Sequence, residues 1–235
     1  KLILFNTLVM APFGVILGFI YSEYKYFGVI LFIFPILLAR YTFYLYFEAK
    51  NKYIQTVDAL MSAIEARDKY TEGHSKRVAE ISAKIARQLK YSDFRIEQLN
   101  IAALLHDVGK IGIDDSILNK PGKLTDEEYR IIKQHPVIGY NILKNIKDLK
   151  YISNIVKYHH ERYDGDGYPE GKSHKDIDLD VFIVQLADSI DAMASDRPYR
   201  GALTQEQIIE EVKRCRGTQF HPVVVDAYLK SLNNN

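Results

Sequence analysis

The sequence predicts an all-α protein, a two-helix transmembrane hairpin followed by a helical bundle. Three observations carry this. Apolar residues recur at helical spacing beyond residue 48, as in Val57, Leu60, Met61, Ile64 and again in Val78, Ile81, Ile85, Leu89, the pattern of amphipathic helices. No long alternation with a period of two residues appears, so no half-buried strand is expected. Most of the first 47 residues are apolar or aromatic, whereas the rest has the composition of an ordinary soluble domain.

Leu2–Tyr21 is an uncharged run of about 20 residues, which at roughly 1.5 Å per residue spans a bilayer core of about 30 Å. Ser22-Glu23-Tyr24-Lys25 predicts a short polar turn. A second apolar run, Tyr26 to Phe47, is interrupted only by Arg40, whose charge can reach a headgroup. Tyr41, Tyr44 and Tyr46 cluster there as an interfacial aromatic belt. Pro12 and Pro35 are tolerable in lipid-embedded helices. Residues 1–47 are therefore expected to form a transmembrane hairpin. A signal peptide does not fit, because no small-residue cleavage site follows and a second apolar run comes straight after. A helical hairpin buried in a soluble core competes, but 47 residues so apolar exceed what one small domain needs. Both ends of a hairpin return to one side. Arg40, Lys50 and Lys52 flank the exit, so residues 48–235 are expected on the cytoplasmic side of the cell (inner) membrane. The chain starts at Lys1 rather than Met, which fits a piece of a longer polypeptide with any sensor upstream.

Glu48–Asp68 continues as a helix, a juxtamembrane connector. Its apolar stripe suits a packing or dimer seam, so a homodimer is allowed. From residue 69 the helical domain begins, with a helix over His74–Lys90 and another that Ser92 caps, running through Leu99 and Leu105. Gly109 and Gly112 break the pattern, and Asn119-Lys120-Pro121-Gly122 is a turn. Thr125 with Glu128 makes a capping box, and Pro136 marks a kink or a fresh start. Further helices are expected over Ile152–His160, Asp178–Ala194, Thr204–Arg214 and Pro222–Leu232.

Charge excludes one class of partner. Residues 1–47 carry a net charge of +2, and the remainder holds 28 basic against 29 acidic residues. A near-neutral domain has no electrostatic footprint for a DNA or RNA polymer. The single cysteine, Cys215, allows no intrachain disulfide and no paired-cysteine zinc site. It reads as a helix residue without special role, and the lone thiol fits a reducing compartment.

The chemistry is carried by polar residues at the ends or in the middle of apolar helices. His106-Asp107 follows Ala102-Ala103-Leu104-Leu105, and His159-His160 closes another helix before a glycine-rich acidic loop. His74 opens a third helix, and Asp188 sits after Ile183-Val184-Gln185-Leu186-Ala187. An unpaired carboxylate there is costly. Helix ends converging on one cavity would supply imidazole and carboxylate ligands, a set that suits iron, manganese, zinc or nickel rather than calcium. There are more donors than one ion needs, so a dinuclear centre is expected. Two metals about 3.5–4 Å apart suit phosphoester hydrolysis by an activated hydroxide. Asp107 can bridge them, and Lys110 is placed to add positive charge at the phosphate. His135, before a proline, reads as structural or surface on local grounds. His174, in a polar loop, is expected to be solvent-exposed, and His221 structural.

These motifs together resemble a known family. His106-Asp107-Val108-Gly109-Lys110-Ile111-Gly112 and the loop ending Gly167-Tyr168-Pro169 look like the HD-GYP phosphodiesterases, a branch of the HD metal-dependent phosphohydrolases. The resemblance runs from about Thr56 to Val225. It includes Tyr70-Thr71-Glu72-Gly73-His74-Ser75, Asn119-Lys120-Pro121-Gly122-Lys123-Leu124-Thr125, Asp196-Arg197-Pro198-Tyr199-Arg200 and Gly217-Thr218-Gln219-Phe220. It implies an HD-domain helical bundle over 69–235 that hydrolyses cyclic di-GMP to linear pGpG, GMP or both. It implies metal ligands His74, His106, Asp107, His135, His159, His160 and Asp188. It makes Asp107 and Lys110 catalytic, puts Lys110 on the scissile phosphate and Arg197 and Arg200 on phosphate or guanine, and gives Gly167, Tyr168 and Pro169 the rim. One subset of the family carries a glutamate where this chain has Tyr70 and binds a third metal, so two divalent ions are expected, Fe or Mn first, then Zn, Ni or Mg. Diguanylate cyclase (GGDEF) proteins are implied partners. Ile177-Asp178-Leu179 replaces a common Ile-Pro-Leu, with Asp178 expected to cap the next helix, and His221 stands where the family often has aspartate. A non-catalytic cyclic di-GMP receptor and an HD hydrolase of another nucleotide, such as a dNTP or (p)ppGpp, are the competing readings.

Overall fold

The computed structural model describes residues 2–68, 73–196 and 201–232, with side chains from residue 11 onward; Tyr70, Arg197 and Arg200 lie outside the described residues. The chain divides into two units, Lys1–Gln55 and Thr56–Asn235. Helix α1 (Leu2–Glu65) begins in the first and ends in the second.

In the first unit the helix is broken at Lys25, whose backbone turns to φ 54°, ψ −144°. The break falls inside the polar group Ser22–Lys25. A Cβ added to Gly28 would lie 2.6 Å from Ile20 Cγ2 and 2.6 Å from Tyr24 Cβ. Residues eight apart in a straight helix are about 12 Å apart, so the chain bends back sharply here, and only glycine admits the approach. On both sides of the bend large apolar side chains face outward, among them Phe19, Phe27, Leu31 and Phe34. From Ala11 to Glu65 the helix is long and apolar enough to cross a membrane, with a mean hydropathy of 1.8 in its most apolar window.

The second unit is all helical among the described residues, with no strand and one isolated bridge between Arg216 and Phe220. After α1 come α2 (His74–Gln88), α3 (Asp93–Leu105), a 3₁₀ turn (Val108–Gly112), α4 (Asp115–Leu118) and α5 (Asp126–Ile132). Then follow α6 (His135–Leu143), a 3₁₀ turn (Lys147–Leu149), α7 (Lys150–Tyr158), α8 (Leu179–Ala194), α9 (Gln205–Arg214) and α10 (Pro222–Leu232). The caps set the starts. Ser92 Oγ accepts from the Arg95 N–H, and Thr125/Glu128 and Thr204/Gln207 form complete capping boxes, which satisfy donors a helix leaves open. Asp178 departs from expectation. It occupies the N-cap of α8 without a capping hydrogen bond, because its carboxylate accepts from Arg95 instead.

Helix α8 is the axis of the core. Asp180 to Ala187 are all buried, as expected of a helix apolar on every side. Helices α2, α3, α7, α9 and α10 pack around it. Asp180, fully buried, accepts from Arg95 Nη2 at 2.7 Å and from Tyr151 Oη at 2.6 Å, which ties the start of α8 to α3 and α7. Val57, Met61 and Ile64 of the α1 stripe are buried in this same core, while Leu60 is half exposed. Most of the stripe expected as a connector or dimer seam is thus used within the chain. Cys215 caps α9 from inside the core, its thiol against Glu211.

Candidate metal centre

Three helix ends deliver histidines by one local device. His106 follows the last residue of α3, His135 stands three residues past Ile132 at the end of α5, and His159 follows α7. In each, ring Nδ1 meets the carbonyl oxygen three residues back, Ala103 at 2.7 Å, Ile132 at 2.8 Å and Val156 at 2.7 Å. A carbonyl only accepts, so Nδ1 carries a proton, and in the neutral imidazole each Nε2 presents a lone pair inward. His74 is oriented differently, through Nδ1 to Asp191 at 2.7 Å, and Arg77 holds Asp191 at 2.6 Å. This is the outer support that orients metal-binding imidazoles.

The structure brings all seven expected ligands together in three overlapping groups, His74/His106/Asp188, His106/Asp107/His159 and His135/His159/His160, with donor atoms within 4.8 Å inside each group. Asp107 Oδ1 lies 3.2 Å from His135 Nε2 and 4.0 Å from His159 Nε2, and its Oδ2 lies 3.5 Å from His106 Nε2. Asp188 Oδ1 lies 3.2 Å from His74 Nε2 and 4.0 Å from His106 Nε2. His135, which local sequence left as structural, is buried among the ligands.

The donor set fits cations on two counts. His106 Nε2 is buried without a hydrogen-bond partner. His135 Nε2 and His159 Nε2 face each other at 3.4 Å, and in the neutral rings both are acceptors once their Nδ1 atoms are committed to carbonyls. Lone pairs that converge in a dry site are reconciled by a positive ion.

Electrostatics in the metal-free protein agree. Burial disfavours the His74 imidazolium, but Asp188 and Asp191 outweigh it and raise its pKa to about 10. Burial and the neighbouring imidazoles push His159 well down and His160 to about 3. Burial opposes ionisation of Asp107, but Lys110 and the histidines hold it well below the usual carboxylate range; for Asp188, His74 and its neighbours do the same. Burial likewise opposes the Lys110 charge, but Asp107 and Asp68 keep it protonated. The signs give a prediction. His74 stabilises the metal-free fold fully below its ordinary value of 6.5 and loses that contribution as pH rises through about 10. His160 loses its contribution as pH falls from 6.5 toward 3, and the two carboxylates lose theirs below 3.8. Thermal melts of the chelator-treated chain in detergent should therefore show greatest stability near neutral pH. A melting temperature still climbing at about pH 10 would contradict the His74 assignment.

Several residues around the centre support it. Lys110 Nζ bridges Asp107 at 2.8 Å and Asp68 at 2.9 Å. Glu65, the last residue of α1, accepts from the N–H groups of Gly73 and Ser75, the two neighbours of His74. Arg67 donates to the carbonyls of Ile111 and Ile113 and to Asp115. Asp191 had a signal, since it follows Asp188 by three residues and shares its helix face.

The rim loop is also built. Glu161, fully buried, accepts from the Glu170 N–H at 2.7 Å and the Lys172 N–H at 3.0 Å. A Cβ on Gly167 would lie 2.5 Å from Arg162 N and Glu161 Cα, so glycine lets the loop close on the His159-His160 segment. The Tyr168 ring stacks on His160 at 4.7 Å, and Pro169 follows it on the half-buried rim. Asp164 is taken by Arg162, not aimed at a cation. His174 corrects the expectation of a solvent-exposed residue. It is half-buried and stacks on Tyr163 at 4.0 Å, and its Nδ1 bonds the Tyr163 carbonyl. His221 packs against Tyr163 and Phe182, as a structural residue should.

The chain is similar to several known proteins. A cyclic di-GMP phosphodiesterase of Thermotoga maritima is 41% identical over 78% of this chain and 50% of its own length. The cyclic di-GMP phosphodiesterase response regulator RpfG of Xanthomonas campestris pv. campestris is 40% identical over 78% of the chain and 49% of its own. The 3'3'-cGAMP-specific phosphodiesterase 3 of Vibrio cholerae is 38% identical over 75% of the chain and 38% of its own. The chain thus spans about half the length, or less, of these relatives. Among solved structures, Bd1817, an HDG"Y"P protein from Bdellovibrio bacteriovorus, has the same fold, with TM-score 0.60 at 21% identity over 80% of this chain and 62% of its own. The HD domain of the Listeria monocytogenes phosphodiesterase PgpH, in complex with cyclic-di-AMP, follows with TM-score 0.51 at 18% identity over 74% of this chain and 95% of its own. The model of the HD domain family matches residues 58–224, well over half of the chain, and the chain belongs to that family.

Proposed function

We propose that this chain is a membrane-anchored phosphodiesterase of the HD-GYP branch, hydrolysing cyclic di-GMP to linear pGpG, GMP or both at a dinuclear metal centre. One observation carries the reading, the three Nε2 lone pairs whose Nδ1 atoms are pinned to carbonyls, converging with Asp107 and Asp188. The names of relatives at 36–41% identity support the substrate class.

His74, His106, Asp107, His135, His159, His160 and Asp188 would hold two divalent cations, Fe or Mn in this reading. Such ions, when bound, polarise phosphoryl oxygens and lower the pKa of water. The protein's own residues do the positioning. Asp107 joins the two halves of the ligand set, since its two oxygens face different histidines. Lys110 keeps its proton and spends two N–H groups on Asp68 and Asp107. An ammonium has three donors, so one remains for a phosphoryl oxygen, at a position fixed by the other two. Gly167, Tyr168 and Pro169 shape the rim, and Arg197 and Arg200 are assigned to the remaining phosphate or guanine contacts.

The exposed apolar face of α1 and the bend at Lys25 support a membrane hairpin over residues 1–47, a connector over 48–68 and an HD-GYP catalytic domain over 69–235. Arg40, Lys50 and Lys52 beside the exit support a cytoplasmic position for that domain. Diguanylate cyclases and a second copy of the chain are the partners this reading allows. A second reading, 3',3'-cGAMP as substrate, is favoured by the Vibrio cholerae relatives of that name.

The test is turnover by the chain purified in detergent and loaded anaerobically with Fe(II) or Mn(II). Cyclic di-GMP, 3',3'-cGAMP, a dNTP and ppGpp are offered separately and products separated by chromatography. Linear product from cyclic di-GMP is expected. Tight binding of cyclic di-GMP without product from either metal-loaded form would make the chain a receptor and overturn the reading.

A further inference from the structure

Lys133 is a cation at the rim of the metal centre that the chemistry above does not use. It follows the last residue of α5 and stands two residues before His135. Its Nζ lies 4.6 Å from the ring centroid of Tyr129 and 5.0 Å from that of Tyr168. Tyr168 in turn stacks on His160. The two rings and the ammonium therefore form one continuous surface that starts at a metal ligand and runs outward to Tyr129, which is 48% exposed.

Lys133 differs from the lysines around it. Lys110 is held by Asp68 and Asp107, Lys120 by Glu128, and Lys157 and Lys172 by Glu170. Among the described residues no carboxylate lies within ion-pair distance of Lys133. A half-buried ammonium held over two aromatic faces is oriented, and its charge is not neutralised by a side chain.

We propose that Tyr129, Lys133 and Tyr168 form a purine subsite. It would take the part of a cyclic dinucleotide that does not sit on the metals, with a base stacked offset on the side of Tyr129 that carries the Lys133 ammonium, whose N–H groups meet the base's acceptor edge. This rests on the reading of the chain as a cyclic-dinucleotide phosphodiesterase. The recognition chemistry follows from the base. Guanine presents two acceptors, N7 and O6, on that edge, whereas adenine replaces O6 with an amino donor that an ammonium cannot bond. Stacking on an aromatic ring is tolerant of sequence, so Tyr129 contributes affinity to either purine and Lys133 contributes the choice.

The experiment compares the metal-loaded full chain with Lys133→Met and Tyr129→Ala. Each is assayed for kcat and KM on cyclic di-GMP, 3',3'-cGAMP and cyclic di-AMP, for nucleotide affinity by equilibrium binding, and for metal content. Lys133→Met keeps the side chain's length and apolar cover while removing the charge. It should raise KM and Kd for cyclic di-GMP about tenfold, with a smaller effect on kcat, weaken cyclic di-AMP, which keeps only the N7 acceptor, distinctly less, and retain its metals. Tyr129→Ala should weaken all three nucleotides together. Equal losses for all three nucleotides in Lys133→Met would show a general phosphate contact and overturn the guanine assignment. A loss of metal or of kcat alone would make Lys133 a support for His135. If the wild type binds cyclic di-GMP without cleaving it, the phosphodiesterase reading fails while the Kd comparison still decides the subsite; if it binds none of the three, both fall.

Discussion

Replacing Asp107 with asparagine is expected to lower turnover by about a thousandfold while the helical fold survives. The shape is nearly unchanged, so packing is not the cause. What is lost is a negative charge that faces His106, His135 and Lys110 at 3.5, 3.2 and 2.8 Å. Two consequences follow. The ligand set loses the carboxylate that joins its two halves, and metal occupancy falls. Lys110 keeps Asp68 as partner but loses its second ionic one, so in the proposed mechanism its third donor is held less firmly toward the substrate. Loss of one group that stabilises developing charge costs about 10²–10³ in rate, and the metal defect adds to it. Metal analysis with single-turnover kinetics decides the matter. An asparagine variant that holds full metal and keeps a tenth of wild-type turnover would remove Asp107 from the centre.

Gly109→Ala is expected to be the most damaging single methyl group in the second unit. An added Cβ would stand 1.9 Å from the His135 carbonyl oxygen and 2.6 Å from Gly139 N. Both obstacles are backbone, so no side chain can rotate away. Relief requires moving the turn after His106-Asp107 off the start of α6, which pulls Asp107 from His135. Overpacking of a core costs about 1–3 kcal/mol, and a clash with backbone lies at or above the upper end. At roughly 2–4 °C per kcal/mol for a domain of this size, the melting temperature should fall by about 10 °C, with metal binding lost alongside. A variant that melts within about 2 °C of wild type and binds metal normally would show that the turn does not need this approach.

The two glycines of that turn show what sequence could and could not say. Gly109 and Gly112 are legible as breaks in a helical pattern. That one of them is a point of contact between backbones is not, since the partner, His135, is distant in sequence. His106 and Asp188 are more legible, because a histidine or aspartate at the end of an apolar run has to be paired. His135 carried no such mark, as Pro136 explains its position equally well, and resemblance alone raised it. The roles of Glu65, Arg67 and Asp68 were invisible, because they are charged residues at a helix end, where charge is ordinary. The burial of His174 is hidden for a related reason. Its loop is polar, yet the Tyr163 and Asp164 N–H groups bond back to Gln219 and Thr218, and that anchoring brings a flat ring against it.

The carbonyls that accept from His106, His135 and His159 belong to the last turns of α3, α5 and α7, where a helix runs out of its own donors. Each imidazole therefore does a second job as the plug of a helix end. The two jobs are separable in inheritance. On the proposed reading, a descendant that abandoned hydrolysis would be free to lose Asp107 or Lys110, yet would lose fold stability with those histidines. In decayed members of such a lineage the imidazoles should outlast the chemistry, so the carboxylates and the lysine, more than the histidines, are the residues to inspect when asking whether a related chain is still an enzyme.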